Sequence, residues 1–196
     1  MPRSEALNQK LREESRERIL VAALRVFAGH GYGGASMRMI AEEAGISPGL
    51  IYAYYSGKEA LRDAIFERSM RDVRASFAAA ASEHEPGRRL ERLLRASFEI
   101  IKQNMDFWRL SYGIRMQAEA LRGIEGALSE WTDEILRTLT KFLRNIGVRE
   151  ATLEARLLFA EIDGVAQHYV LDPKGYPLSR VVTRIIGRYS SVAGAR

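Results

Sequence analysis

A chain of 196 residues, 46% apolar and 28% charged, is long enough to bury one or two ordinary globular cores. It contains no cysteine, which excludes a disulfide framework, a thiolate nucleophile and any cysteine-based zinc site. The net charge of +5 suits a polyanionic partner, yet residues 1–62 hold nine Lys/Arg against seven Glu, so charge marks no nucleic-acid-binding segment.

The N-terminal stretch MPRSEALNQKLREESRER is charged throughout and lacks the apolar run of a signal peptide. The best apolar run, ILVAALRVFA, is interrupted by Arg25 and is too short to span a bilayer, so a soluble cytoplasmic protein with no membrane partner is expected. Ile19, Ala22, Ala23, Val26 and Phe27 recur at helical spacing and predict a first helix over about 14–29, ended by GHGYGGAS. Two short helices follow over 37–44 and 48–55. Ser56 and Glu59 then read as a capping box opening a long helix that runs to about residue 83, before Pro86-Gly87. Further helical patterns cover 88–103, 105–121, 124–146, 150–171 and 178–189, and SSVAGAR at the end is expected to fray. No period-2 strand pattern emerges. The expectation is an all-α protein: a helix-turn-helix unit over 1–57, a connecting helix over 58–85, and a larger bundle over 86–196.

The segment 36–58 carries the most information. Ile40, Ala41, Ala44, Ile46 and Ile51 form an apolar set facing a common interior, with Ala41 small where a second helix approaches. Gly45 supplies the positive φ of a sharp turn. Ser47 is a good N-cap and Pro48 at N1 loses no hydrogen bond. Ile51 and Tyr55, four apart, face inward, whereas Pro48 and Tyr52 share another face beside Gly49, and Tyr54 points to the rim. An aromatic on a face almost free of charge is a poor choice for plain solvent. This is the pattern of a helix-turn-helix whose second helix enters a DNA major groove.

From about Arg18 to Leu61 the sequence resembles the DNA-binding domain of the tetracycline-repressor (TetR) family. The matching positions are Ile19, Ala22-Ala23, Phe27, Gly31-Tyr32, Ile40-Ala41, Ala44-Gly45-Ile46-Ser47, Gly49, Tyr52, Tyr55, Lys58-Glu59 and Leu61. Ser36 stands where the family usually has threonine, and Met39 where it is commonly polar. The resemblance implies that Pro48, Gly49 and Leu50 lie near base edges and that Tyr52 touches the sugar-phosphate backbone or a thymine methyl. It implies a second backbone contact at Tyr54 and a phosphate at Lys58, aided by a helix N-terminus. Arg38 would reach a base or phosphate, with Ser36 and Met37 nearby. Only Arg38 offers a strong bidentate reader, so apolar contacts and DNA shape are expected to carry much of the specificity.

Beyond Arg62 the resemblance thins. Family members are typically homodimers through their last two long helices. Here those carry apolar stripes at Leu158, Ile162, Val165 and Tyr169, and at Val181, Val182, Ile185, Ile186 and Tyr189, which serve either a partner or the protomer's own core. Gly164 is costly within a helix unless something packs closely on it. The aromatic stretch MDFWRLSYGIRMQ suggests an effector site drawn from Phe98, Trp108, Tyr112, Arg115, Met116, Trp131, Phe159 and His168, although such stripes are more often core. Glu161, Asp163 and His168 make no metal set, since Asp163 leaves the face the other two share. No catalytic constellation, cofactor motif or phosphate loop stands out. The expected protein is a TetR-like repressor, not an enzyme, that binds a palindromic operator and is released by a small-molecule effector. The competing reading is a helical binding or structural protein that never touches DNA.

Overall fold

The computed structural model describes residues 2–193, and the side chains of 5–189. Among the described residues there are ten helices and no strand: α1 Pro2–Gly34, α2 Met37–Ala44, α3 Pro48–Ile51, α4 Lys58–Ala81, α5 Pro86–Gln103, α6 Met105–Arg115, α7 Ala118–Leu121, α8 Glu125–Ile146, α9 Ala151–Leu171 and α10 Leu178–Ala193. Most boundaries fall within two or three residues of the sequence expectation, and three differences have physical causes. α1 begins twelve residues before the expected Glu14, because the added turns are exposed and so carry no apolar period. Those turns are held by good helix formers and by pairs such as Gln9 with Glu13 at 2.7 Å and Lys10 with Glu14 at 3.9 Å. The expected helix 105–121 is two, broken at Met116-Gln117. Gly57, rather than Ser56, opens α4, its carbonyl accepting from the Leu61 N–H at 3.2 Å. The predicted fraying of 190–196 is not seen as far as Ala193, and 194–196 lie outside the described residues.

The chain divides into two compact units, Met1–Arg68 with Leu110–Gly123, and Ser69–Arg109 with Ile124–Arg196. The sequence-based divisions at 57 and 85 therefore do not coincide with the structural ones: both α4 and α6 begin in one unit and end in the other. The first unit closes over Ile19, Ala23, Leu24, Phe27, Ile40, Ala41, Ile51, Leu61 and Ile65, all at most 1% exposed. Each such large aliphatic burial contributes about 1.5–3 kcal/mol. Arg25 of α1 pairs with Glu43 of α2 at 3.1 Å, and Arg68 pairs with Glu17.

The second unit packs α5, α8, α9 and α10 with the latter part of α4. Leu90, Leu93, Leu94, Leu139, Leu143, Ala155 and Leu158 are among its most buried positions. Phe77 meets Phe142 edge-on at 6.3 Å, and the Arg89 guanidinium lies 5.8 Å from the other ring's centroid. Gly147, at φ 93°, ends α8 with its N–H on the Arg144 carbonyl, and the Val148 N–H reaches back to Leu143 at 3.0 Å. Polar links between α9 and α10 include Arg188 to Glu161, and the Tyr189 hydroxyl to the Glu154 carboxylate at 2.6 Å. Burial first, then that carboxylate, pushes the Tyr189 phenol well above its ordinary range.

The stripes expected at a dimer face need correction. Leu158, Val165, Tyr169 and Ile185 are buried inside the protomer, and Ile162 and Val181 are half-buried. The exposed apolar side chains of α9 lie one step round the helix, at Leu153, Leu157 and Leu171, with the small residues Ala160 and Gly164 continuing the row.

Candidate nucleic-acid interface

Local chemistry fixes the 36–55 segment almost residue by residue. Ser36 caps α2, its Oγ accepting from the Met39 N–H at 3.2 Å. At the other end Gly45, at φ 69°, donates to the Glu42 carbonyl, and the Ile46 N–H reaches the Ala41 carbonyl at 3.0 Å. That pair of bonds closes the helix with a left-handed glycine, a conformation costly for any residue bearing a Cβ. Ser47 then caps α3 through the Leu50 N–H at 3.3 Å, with Pro48 in the first turn. A Cβ at Gly45 would meet nothing within 4 Å, so a substitution there is resisted by backbone conformation alone. Gly45→Ala is expected to lower unfolding stability by about 1 kcal/mol, read from denaturant midpoints at unchanged m-value.

These turns sort the side chains. Ile51 is 0% and Tyr55 7% exposed, closing the interior, and the Arg16 guanidinium sits 5.7 Å from the Tyr55 ring centroid. Leu50 and Tyr52 stand out at 45% and 58%, with Ser36, Pro48 and Gly49 also exposed and Tyr54 half-buried at the rim. Arg38 is exposed and paired with Glu42 at 2.9 Å, an i,i+4 surface pair of small worth that a phosphate or base can displace.

Two expected contacts are placed otherwise. Met37 is buried, because it shares the inward side of α2 with Ile40 and Ala41. Its side chain belongs to the core and is not available to DNA. Lys58 is half-buried and turned inward, its ammonium donating to the Tyr32 carbonyl at 3.0 Å and the Gly33 carbonyl at 3.3 Å. It also lies 5.2 Å from the Tyr32 ring centroid. Cations suit the carbonyl end of a helix, so Lys58 serves as a cap for α1. Nothing in local sequence signals this, since the partners are some 25 residues away. Burial, reinforced by the Glu59 carboxylate, pushes the Tyr32 phenol up.

The eight residues considered for an effector site are divided between the units. Tyr112, Arg115 and Met116 belong to the first, where Arg115 stacks over the Tyr112 ring at 5.1 Å. Met116 is 86% exposed, because α6 stops at Arg115 and the following residue leaves the face of Trp108 and Tyr112. In the second unit Phe98 and Trp108 are buried, and Trp131 and Phe159 are half-buried. The Trp108 indole N–H donates to Asp72 at 3.1 Å and its ring meets Phe107 edge-on. His168 is exposed and stacks on Tyr176 at 6.1 Å. Glu161 is occupied by Arg188, and among the described residues no three His, Asp or Glu side chains are grouped to hold a metal ion.

Comparison with known proteins reaches both units. The family profile described as bacterial regulatory proteins, tetR family, matches residues 19–65, the core of the first unit. The HTH-type transcriptional regulator BetI of Vibrio vulnificus (strain YJ016) is 28% identical over 82% of this chain and 83% of its own. A solved structure described as a transcriptional regulator of Pseudomonas aeruginosa PAO1 is 30% identical, covering 93% of this chain and 92% of that one at a TM-score of 0.68. The fold is also that of FadR from Bacillus subtilis, solved with stearoyl-CoA: 20% identity, TM-score 0.69, covering 92% of this chain and 99% of that one.

Proposed function

Because the chain belongs to the TetR family of bacterial transcriptional regulators, we propose that it is a homodimeric repressor released from a palindromic operator by a small-molecule effector. The observation that carries this reading is the exposed set Ser36, Arg38, Pro48, Gly49, Leu50 and Tyr52 around two capped helices. It has no role in the protomer's own core. Leu50 and Tyr52 offer apolar and aromatic surface to thymine methyls and sugars, and Arg38 offers the one bidentate fork. Tyr54 supports the backbone contact from the rim.

A second copy is the natural occupant of the exposed row on α9. Leu153, Leu157, Ala160 and Gly164 recur at four-, three- and four-residue spacing, and a Cβ at Gly164 would meet nothing within 4 Å of its own protomer. A glycine inside a helix costs about 1 kcal/mol relative to alanine. Its presence in an apolar row fits the close crossing of a partner helix. A two-fold dimer then carries two recognition helices that must meet successive major grooves roughly 34 Å apart.

Release follows from differential affinity: an effector acts only by binding better to a conformation whose recognition helices are misplaced for that spacing. α4 and α6 provide the continuous chain between the two units. The FadR complex motivates including acyl thioesters in the effector screen. No helix among the described residues is long and apolar enough to cross a membrane.

The test is selection of a duplex from a random-sequence pool, footprinting, and titration across salt concentrations. With Arg38 and the α4 N-terminus on each protomer near phosphates, log K is expected to fall against log salt with a slope of about −3 to −4. Weak, sequence-blind binding with a flat slope would defeat the repressor reading.

A further inference from the structure

α1 contains a break whose repair comes from far away in the chain. In an unbroken helix the Tyr32 N–H would donate to the Ala28 carbonyl. Gly31, at φ 69° and ψ 161°, turns the chain off the helical path, so the Tyr32 N–H takes another partner, while the Ala35 N–H bonds to the Gly31 carbonyl at 3.2 Å. One side chain meets the backbone on both sides of this break. Gln117 Oε1 accepts from the Tyr32 N–H at 2.7 Å, and its Nε2 donates to the Phe27 carbonyl at 3.2 Å. A single amide, donor and acceptor at once, spans the break.

Residues 32–35, after the break, lead directly into the helix-turn-helix, because Ser36 is the N-cap of α2. Lys58 holds the Tyr32 and Gly33 carbonyls, and Gln117 holds the Tyr32 N–H. The Gln117 backbone is itself fixed at the α6–α7 turn, with its N–H on Ile114 at 3.1 Å and its carbonyl taken by Ala120 at 3.0 Å. Arg62 adds a bond to the Arg122 carbonyl at 2.9 Å, and a Cβ at Gly33 would collide with the Glu119 carboxylate. The α6–α7 turn is therefore seated on the break itself.

We infer that Gln117 is a positioning residue for DNA binding: its side-chain amide fixes the direction in which α2 leaves α1, and with it the presentation of the recognition face. The inference rests on the operator-binding reading above. A group that merely supported the fold would weaken all DNA binding in step with stability. A group that sets an angle weakens specific binding and leaves sequence-blind attraction intact, because the latter depends on charge and not on register.

The experiment uses the full chain, a fluorescein-labelled duplex selected by the unaltered protein, and a random duplex of equal length. Gln117→Leu removes both bonds and is expected to bind the selected duplex about tenfold or more weakly, with random-duplex affinity within about twofold and the Tyr32 amide exchanging faster. Gln117→Glu keeps the acceptor but sets a carboxylate against the Phe27 carbonyl. It is expected to lose specific affinity at pH 8 and to regain it, relative to the unaltered protein, as pH falls through the ordinary glutamate range to about 4, where a protonated carboxyl again donates. Gln117→Glu also keeps the test decisive if the leucine variant fails to fold. Unchanged specific affinity, equal loss on both duplexes, or a Gln117→Glu defect indifferent to pH would each overturn the inference. Failure of the unaltered protein to select any duplex would instead overturn the operator reading on which it rests.

Discussion

Gly49→Glu is expected to abolish specific DNA binding while leaving the protein as stable as before. Gly49 is exposed in α3, and a Cβ built there meets nothing within 4 Å, with no positive φ to forbid it. The fold therefore has no objection to a side chain, and exchanging a helical glycine stabilises by about 0.5–1 kcal/mol where conformation allows. In the proposed complex the operator does object. There a glycine between Pro48 and Leu50 would let the α3 backbone approach base edges closely, and glutamate would replace that space with bulk and a negative charge among phosphates. Like-charge juxtaposition at an interface costs several kcal/mol, so a loss of at least about a hundredfold is expected in anisotropy titrations on a selected duplex. Thermal melts should be unchanged or slightly raised. Retained affinity would remove α3 from the interface.

Leu157→Glu is expected to yield a well-folded monomer. Leu157 is 53% exposed on the protomer, so a carboxylate there stays hydrated and stability changes little. In a two-fold dimer crossing on α9 the same change buries two unpaired carboxylates at once, which a helix crossing of this kind has no groups to satisfy. Sedimentation should show the dimer dissociation constant raised by at least about a hundredfold, with operator affinity falling alongside because one half-site is lost. Leu158→Ala, one residue on and 0% exposed, is the contrasting case. It should cost about 2–5 kcal/mol of folding stability, because it empties the protomer's own core. If the two positions behaved in the opposite sense, the dimer face would be the row first read from the sequence.

The contrast between those two leucines shows where sequence reading stops. α9 carries apolar rows on more than one side, and periodicity cannot say which one the protomer uses for itself. The 36–55 segment is different: its caps at Ser36 and Ser47, the left-handed Gly45 and the inward pair Ile51 and Tyr55 are local consequences of residue type, and the structure has them where the spacing puts them. What depends on distant partners was not legible. Lys58 reads as a free cation until Tyr32 and Gly33 arrive beside it, and Gln117 reads as an ordinary helical residue. The break at Met116-Gln117 has neither proline nor glycine to announce it. Met37 was misplaced for a simpler reason: a position one residue into a helix cap looks exposed, but its side chain follows Ile40 and Ala41 inward.

The placement of Lys58 changes what kind of group it is. An ammonium normally acts on phosphate as a rotating, nearly isotropic charge with three equivalent protons. Here two of the three are aimed at the carbonyls of Tyr32 and Gly33. The remaining proton has a direction. In the operator-binding reading, a phosphate meeting this lysine would have to approach from one side, along a line set by the end of α1. The charge would then gauge where a strand lies rather than only that a polyanion is present.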